Sequence, residues 1–154
     1  MQGKNKNKNK STGRLINELS KAAHVYFKSE FGKYSIGHAQ IITLLVIAQN
    51  EGISQHDLSK NLNLDKSSIT SQLGILERNG YITRIVAEKD GRMHKIMLTD
   101  KTREILEPLR MVFSSWTEIL LDGFTETEKA ESFHFLEKMQ ANAQNKLEQL
   151  KKLK

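Results

Sequence analysis

Cysteine is absent from the 154 residues. That excludes disulfides, thiol nucleophiles and cysteine-based peroxide sensing. No run of about 18 apolar residues occurs, so no membrane span is expected. The amino-terminal stretch is basic but lacks the apolar core of a secretory signal, and a cytoplasmic protein is expected. Neither a phosphate-binding glycine loop nor a short catalytic motif appears. The histidines, His24, His38, His56, His94 and His134, never share an i, i+4 helix face, the spacing that a helix-borne metal pair favours. No serine stands at a nucleophile's spacing from a base. The expectation is a protein that is not an enzyme and has no cofactor or resident metal.

Charge says less than its total suggests. The net charge is +6. Lys4, Lys6, Lys8, Lys10 and Arg14 face no acid within residues 1–14, so most of the excess lies there. The remainder is nearly neutral, and evidence for a polyanionic partner must come from where single charges sit. The tail MQGKNKNKNKSTG is a low-complexity lysine–asparagine run that cannot build a core. It suits nonspecific phosphate contact or a solubilising arm.

What is present is concentrated between Ile53 and Thr99. Ser54 is a good helix N-cap with Asp57 three residues on, and Ile53 and Leu58 flank it at staple spacing. Asp65 repeats the arrangement between Leu64 and Ile69. The spacing predicts one helix over Gln55–Asn61 and a second over Lys66–Asn79, stopped by Gly80. The few residues between them force a steep crossing, as in a helix-turn-helix. Ile69, Leu73 and Leu76 give the second helix an apolar stripe. Lys66, Ser67, Ser68, Thr70, Ser71 and Gln72 offer short donors and acceptors, suited to base edges and phosphates in a major groove and equally to a solvated surface. Tyr81–Val86 and Lys95–Thr99 read as two short strands joined by Ala87–His94, with Asp90-Gly91 as the turn signal. Arg92 falls beside the tip, suited to a minor groove. Asp90 is placed to orient it, and Lys89 and Lys95 to meet phosphate.

These residues resemble the MarR family of bacterial transcriptional regulators. The wing signature Asp-x-Arg followed by Leu-Thr is Asp90-Gly91-Arg92 and Leu98-Thr99. Leu76–Arg84, LERNGYITR, resembles that family's recognition-helix end and first wing strand. Two positions depart from the pattern. Ser71-Gln72 stands where many members have an arginine in the recognition helix, which leaves Gln72, whose amide suits adenine, for base readout. Thr102 stands where a glycine is usual.

The expected fold is mainly α with a small β-wing, an α+β winged helix-turn-helix flanked by dimerisation helices. The expected organisation is a basic tail over 1–13, a dimerisation helix and loop over 14–37, the DNA-binding domain over 38–100 and long helices over 101–154. Leu15, Leu19, Ala22, Ala23, Tyr26 and Phe27 make the first helix amphipathic. His38–Gln49, apolar nearly all round through Ile41, Ile42, Leu44, Leu45 and Ile47, reads as a buried helix. Thr125 and Glu128 form a capping box for the last helix, which carries Phe133, Leu136, Leu147 and Leu150. A winged domain alone cannot cover so much apolar surface, which points to a homodimer, with an intramolecular bundle as the competing reading.

The resemblance implies a homodimeric, sequence-specific regulator of duplex DNA. It further implies a repressor released from a pseudo-palindromic operator by a small aromatic or anionic ligand. The DNA contacts expected are Ser54, Lys66, Ser67, Ser68, Thr70, Ser71, Gln72, Arg84, Lys89, Asp90, Arg92 and Lys95. The ligand would meet Phe27, Tyr34, His38 and Met111. Two alternatives remain: a metal-responsive regulator of the same fold, with His38 and Glu30 as donors, or a winged-helix interaction module without DNA binding.

Overall fold

A computed structural model describes residues 11–87 and 90–152, apart from the side chains of residues 87, 90–93 and 151. The chain divides into two compact units, Met1–Phe113 and Ser114–Lys154. In the first, helix α1 (Thr12–Phe31) leads through a 3-10 turn (Gly32–Tyr34) to α2 (His38–Gln49), α3 (Gln55–Asn61) and α4 (Lys66–Arg78). Strands β1 (Ile82–Ala87) and β2 (Asp90–Leu98) follow, and then α5 (Asp100–Leu120) begins. The second unit holds the end of α5 and all of α6 (Glu126–Lys152). The helices with two antiparallel strands make the expected α+β winged helix-turn-helix. Among the described residues no single helix is long and apolar enough to cross a membrane.

Local chemistry sets the helix ends. The Ser54 hydroxyl accepts from the Asp57 amide at 3.1 Å and donates to its carboxylate at 2.7 Å. The Asp65 carboxylate accepts from the Ser68 amide at 2.8 Å. α3 therefore occupies the predicted span, and α4 ends one residue early, with Asn79 as its cap. Gly80 follows at φ +72°, a left-handed conformation that suits glycine. The Tyr81 amide then closes back on the Leu76 carbonyl at 2.9 Å.

The core of the first unit is aliphatic. Ile41, Leu44 and Ile47 of α2, Leu58 of α3, and Ile69, Leu73 and Leu76 of α4 are all fully buried. Ile82 and Ile96 close it from the sheet and Leu109 from α5. One edge of β2 carries an isolated bridge to the segment before α3, which the sequence does not announce. Gly52 donates to the Ile96 carbonyl at 2.9 Å, Ile96 donates back to Ile53 at 3.1 Å, and Ser54 pairs with Lys95.

The wing differs from expectation in one respect. Asp90-Gly91 does not form its turn, because both residues lie in β2, which runs back to Asp90. Val86 pairs with His94 but Ala87 with Asp90. Residues 91–93 therefore bulge from the ladder. Continued pairing satisfies backbone groups that a long loop would leave to water, and the local turn tendency gives way.

Two long-range contacts fasten the wing to the helices. Glu51 accepts from the Leu98 amide at 3.1 Å and takes both terminal nitrogens of Arg103, at 3.0 and 2.5 Å. The bond from Arg103, ahead of the other contributions, holds the Glu51 carboxyl below its ordinary value near 4.5. A depressed carboxylate stabilises the fold fully above that ordinary value, and the contribution disappears as pH falls through the folded value. Wild type is therefore expected to be more stable than Glu51→Gln in urea at pH 6–7, with the two curves converging below about pH 4. A pH-independent gap contradicts the pairing.

Thr102, in the position where the resemblance suggests glycine, is fully buried. Its hydroxyl donates to the Tyr81 carbonyl at 2.5 Å, beside the Thr99 hydroxyl on the Gly80 carbonyl at 2.8 Å. The start of α5 is thereby bolted to the end of α4. Thr102→Val is expected to lower unfolding free energy by about 1 kcal/mol, the net worth of such a bond. An unchanged denaturation midpoint contradicts it.

Candidate nucleic-acid interface

The exposed side of α4, the corner at Ser54 and the wing form one edge of the first unit. Lys66 stands exposed at the start of α4, with no ion pair among the described residues. Beside it, the Asp65 carboxylate takes the Ser67 hydroxyl at 2.5 Å and the Ser68 hydroxyl at 2.7 Å. These bonds, led by Ser67, hold Asp65 far below the usual carboxylate range. Both serine protons are thus committed inward. What Ser67 and Ser68 offer outward is lone pairs, which suit base amino groups rather than phosphate oxygens.

Ser71 is exposed and makes no hydrogen bond among the described residues, so its hydroxyl is free to donate or accept. Its neighbours are not free. The Thr70 hydroxyl donates to the Lys66 carbonyl at 2.6 Å and accepts from the Gln55 amide at 2.7 Å. Gln72, expected to read adenine, is half-buried and bonded to Thr43 of α2 at 2.5 Å. Its spacing from Ile69 and Leu76 puts it on the inner face of α4.

A concavity of about 750 Å³ lies between α3, the start of α4 and the sheet, lined in part by Ser54, Asp57, Lys66, Arg84 and His94. Arg84 is braced within it. Its Nε lies 3.3 Å from the Glu77 carboxylate, yet forms no well-aligned hydrogen bond. Lys95 is exposed on β2, and Ser54 is occupied by its capping contacts. Lys89, the side chains of Asp90 and Arg92, and the tail lysines lie outside the described residues. Lys66, Ser67, Ser71 and Lys95 thus remain exposed, while Ser54, Thr70 and Gln72 carry internal hydrogen bonds and Arg84 is ion-paired with Glu77.

The residues expected around a ligand are only partly brought together. Phe27 and His38 stack at 4.3 Å between centroids, within a cluster completed by Phe31 and Phe113. Burial first, and the His24 charge second, push His38 below its ordinary value. The Tyr34 ring lies under Lys33, its carbonyl accepts from the Tyr81 hydroxyl at 2.7 Å, and Met111 is 61% exposed. Among the described residues no group of three or more His, Asp or Glu is placed to hold a metal.

A short helix, a tight turn, a second helix with an exposed polar face and an adjoining two-stranded wing define a winged helix-turn-helix protein. Comparison with known proteins gives the same class. A family model described as the MarR family matches residues 34–93. The HTH-type transcriptional regulator BilQ of Clostridioides difficile (strain CD3) is 29% identical over 117 residues, 76% of this chain and 79% of the relative. The uncharacterized HTH-type transcriptional regulator YybA of Bacillus subtilis (strain 168) is 27% identical over 139 residues, 90% of this chain and 93% of the relative. Among solved structures, a MarR protein from Peptoclostridium difficile DA00132 superposes with a TM-score of 0.82 at 28% identity, covering 92% of each chain. The chain is thus similar to the MarR family, by the family model over residues 34–93 and by overall fold.

Proposed function

We propose that the protein is a DNA-binding transcriptional regulator rather than an enzyme. The observation that carries this reading is the exposed polar face of α4, with Lys66 and Ser71 uncommitted. The face fits the dimensions and chemistry of a major groove. The names of the relatives, transcriptional regulators, support it.

We further propose a homodimer that represses from a pseudo-palindromic operator. In α1, Leu15, Ile16, Leu19 and Val25 are exposed, Val25 to 69%. In the second unit, Phe133, Leu136, Leu147 and Leu150 are exposed as well. A second copy related by a two-fold axis would cover such surfaces and offer two recognition helices to two half-sites. Release by a small aromatic or anionic compound is part of the proposal, acting at the aromatic corner of Phe27 and His38. Such a compound needs only to favour a dimer whose recognition helices are wrongly spaced.

The wing provides the test. Fluorescence anisotropy of labelled duplexes, run with wild type and Arg92→Ala at several salt concentrations, is expected to give salt-sensitive saturation by wild type. The variant is expected to bind about 1–3 kcal/mol more weakly. Equal, weak binding by both to every duplex, lost on removing residues 1–14, assigns the contact to the basic tail and contradicts the reading.

A further inference from the structure

The inner face of α4 is aliphatic where it meets the core, through Ile69, Leu73 and Leu76. Apolar contact is non-directional and by itself specifies the rotation of a helix less sharply than a hydrogen bond does. Rolling α4 would swing its exposed residues away from whatever they touch. Two polar contacts oppose that motion, and they fall on consecutive sides of one residue. Thr70 is held by Gln55 of α3 at 2.7 Å, and Gln72 by Thr43 of α2 at 2.5 Å. Ser71, between them, is exposed and carries no hydrogen bond among the described residues.

The Thr43 end is the more informative. Thr43 is fully buried, in a helix otherwise apolar on that side. A valine would fill the same space without a hydroxyl to satisfy. The hydroxyl has one proton and two partners, the Ala39 carbonyl at 3.0 Å and the Gln72 amide. Turning the amide over so that its NH2 donates to Thr43 satisfies both, because the hydroxyl then donates to Ala39. In either sense the bond joins α2 to α4, and it is the one side-chain hydrogen bond between those helices among the described residues. Buried polar links of this kind fix one geometry among several apolar alternatives.

We infer that Gln72 and Thr43 are positioning residues for sequence recognition: their bond, with the Gln55–Thr70 bond, fixes the rotation of α4 so that Ser71 faces the base edges. Gln72 then influences which sequence is bound without touching DNA. The inference rests on the DNA-binding reading above and adds a mechanism for its selectivity.

The experiment measures a ratio. The full chain selects a duplex from a randomised pool, and affinity for that duplex is divided by affinity for its shuffled form. Thr43→Val is expected to lower the ratio about tenfold while binding to the shuffled duplex stays within about twofold. Thr43→Ser, which keeps the hydroxyl, is expected to retain the wild-type ratio. In a Ser71→Ala background, Thr43→Val is expected to change the ratio less than about twofold, because the pair then acts through a missing side chain. Should Thr43→Val prove poorly folded, Gln72→Met removes the same bond from the half-buried side. A ratio unchanged by both substitutions overturns the inference while leaving the DNA-binding reading in place. A wild type that enriches no sequence overturns both.

Discussion

Ser71→Glu is expected to reduce binding to a selected duplex at least 100-fold, about 2.7 kcal/mol or more, with the fold untouched. Ser71 is exposed and breaks no internal bond when replaced, and glutamate is a good helix former. A stability change within about 0.5 kcal/mol is therefore expected, as for surface substitutions generally. On DNA the same side chain would bring a carboxylate among base acceptors and between two phosphate backbones, where repulsion and lost hydration both oppose it. Anisotropy on the selected duplex, paired with urea denaturation of the free protein, separates the two effects. Retained affinity would mean that the exposed face of α4 is not the contact surface.

Leu73→Ala is expected to cost about 3 kcal/mol of unfolding free energy, within the range for a buried leucine truncated where neighbours cannot collapse. Leu73 has no exposed surface and lies between Ile69 and Leu76 at the centre of the aliphatic core. For a domain whose net stability is about 5–15 kcal/mol, that is a large share. Urea denaturation followed by circular dichroism measures it. A loss below about 1 kcal/mol would mean that α4 does not pack on α2 and α3 as described.

Features set by neighbouring residues were legible in the sequence. Ser54 with Asp57, Asp65 with Ser68, Thr125 with Glu128, and Gly80 at the end of α4 act over three or four positions, and each forms the bond its spacing predicts or adopts the expected left-handed turn. The apolar stripe of Ile69, Leu73 and Leu76 was legible for the same reason, since helical period alone fixes which residues share a face.

What was not legible involves partners distant in the chain. Gln72 looks like a surface amide until Thr43, 29 residues earlier, is seen to meet it. In the sequence Thr43 is only a polar interruption of an apolar helix. Glu51 and Arg103, separated by 52 residues, carry no local sign of pairing. The Thr102 hydroxyl and the Tyr81 carbonyl, 21 residues apart, carry no local sign of pairing either. The bulge opposite Val86 and Ala87 depends on strand register, which a turn signal such as Asp90-Gly91 does not decide. At the interface, residue types were readable, but which hydroxyls were already committed was not. The short polar run of α4 divides into internal links and free groups only once α2, α3 and the Asp65 cap surround it.

The central claim is that two copies of this chain read one duplex through paired α4 helices. The most direct measurement is the composition of the complex formed on the duplex selected from a randomised pool, by analytical ultracentrifugation of labelled DNA with increasing protein. The account predicts saturation at two chains per duplex, on a sequence whose two related halves lie about one helical turn, roughly 10 base pairs, apart. Enrichment of no sequence, or saturation by a single chain on an asymmetric site, would contradict it.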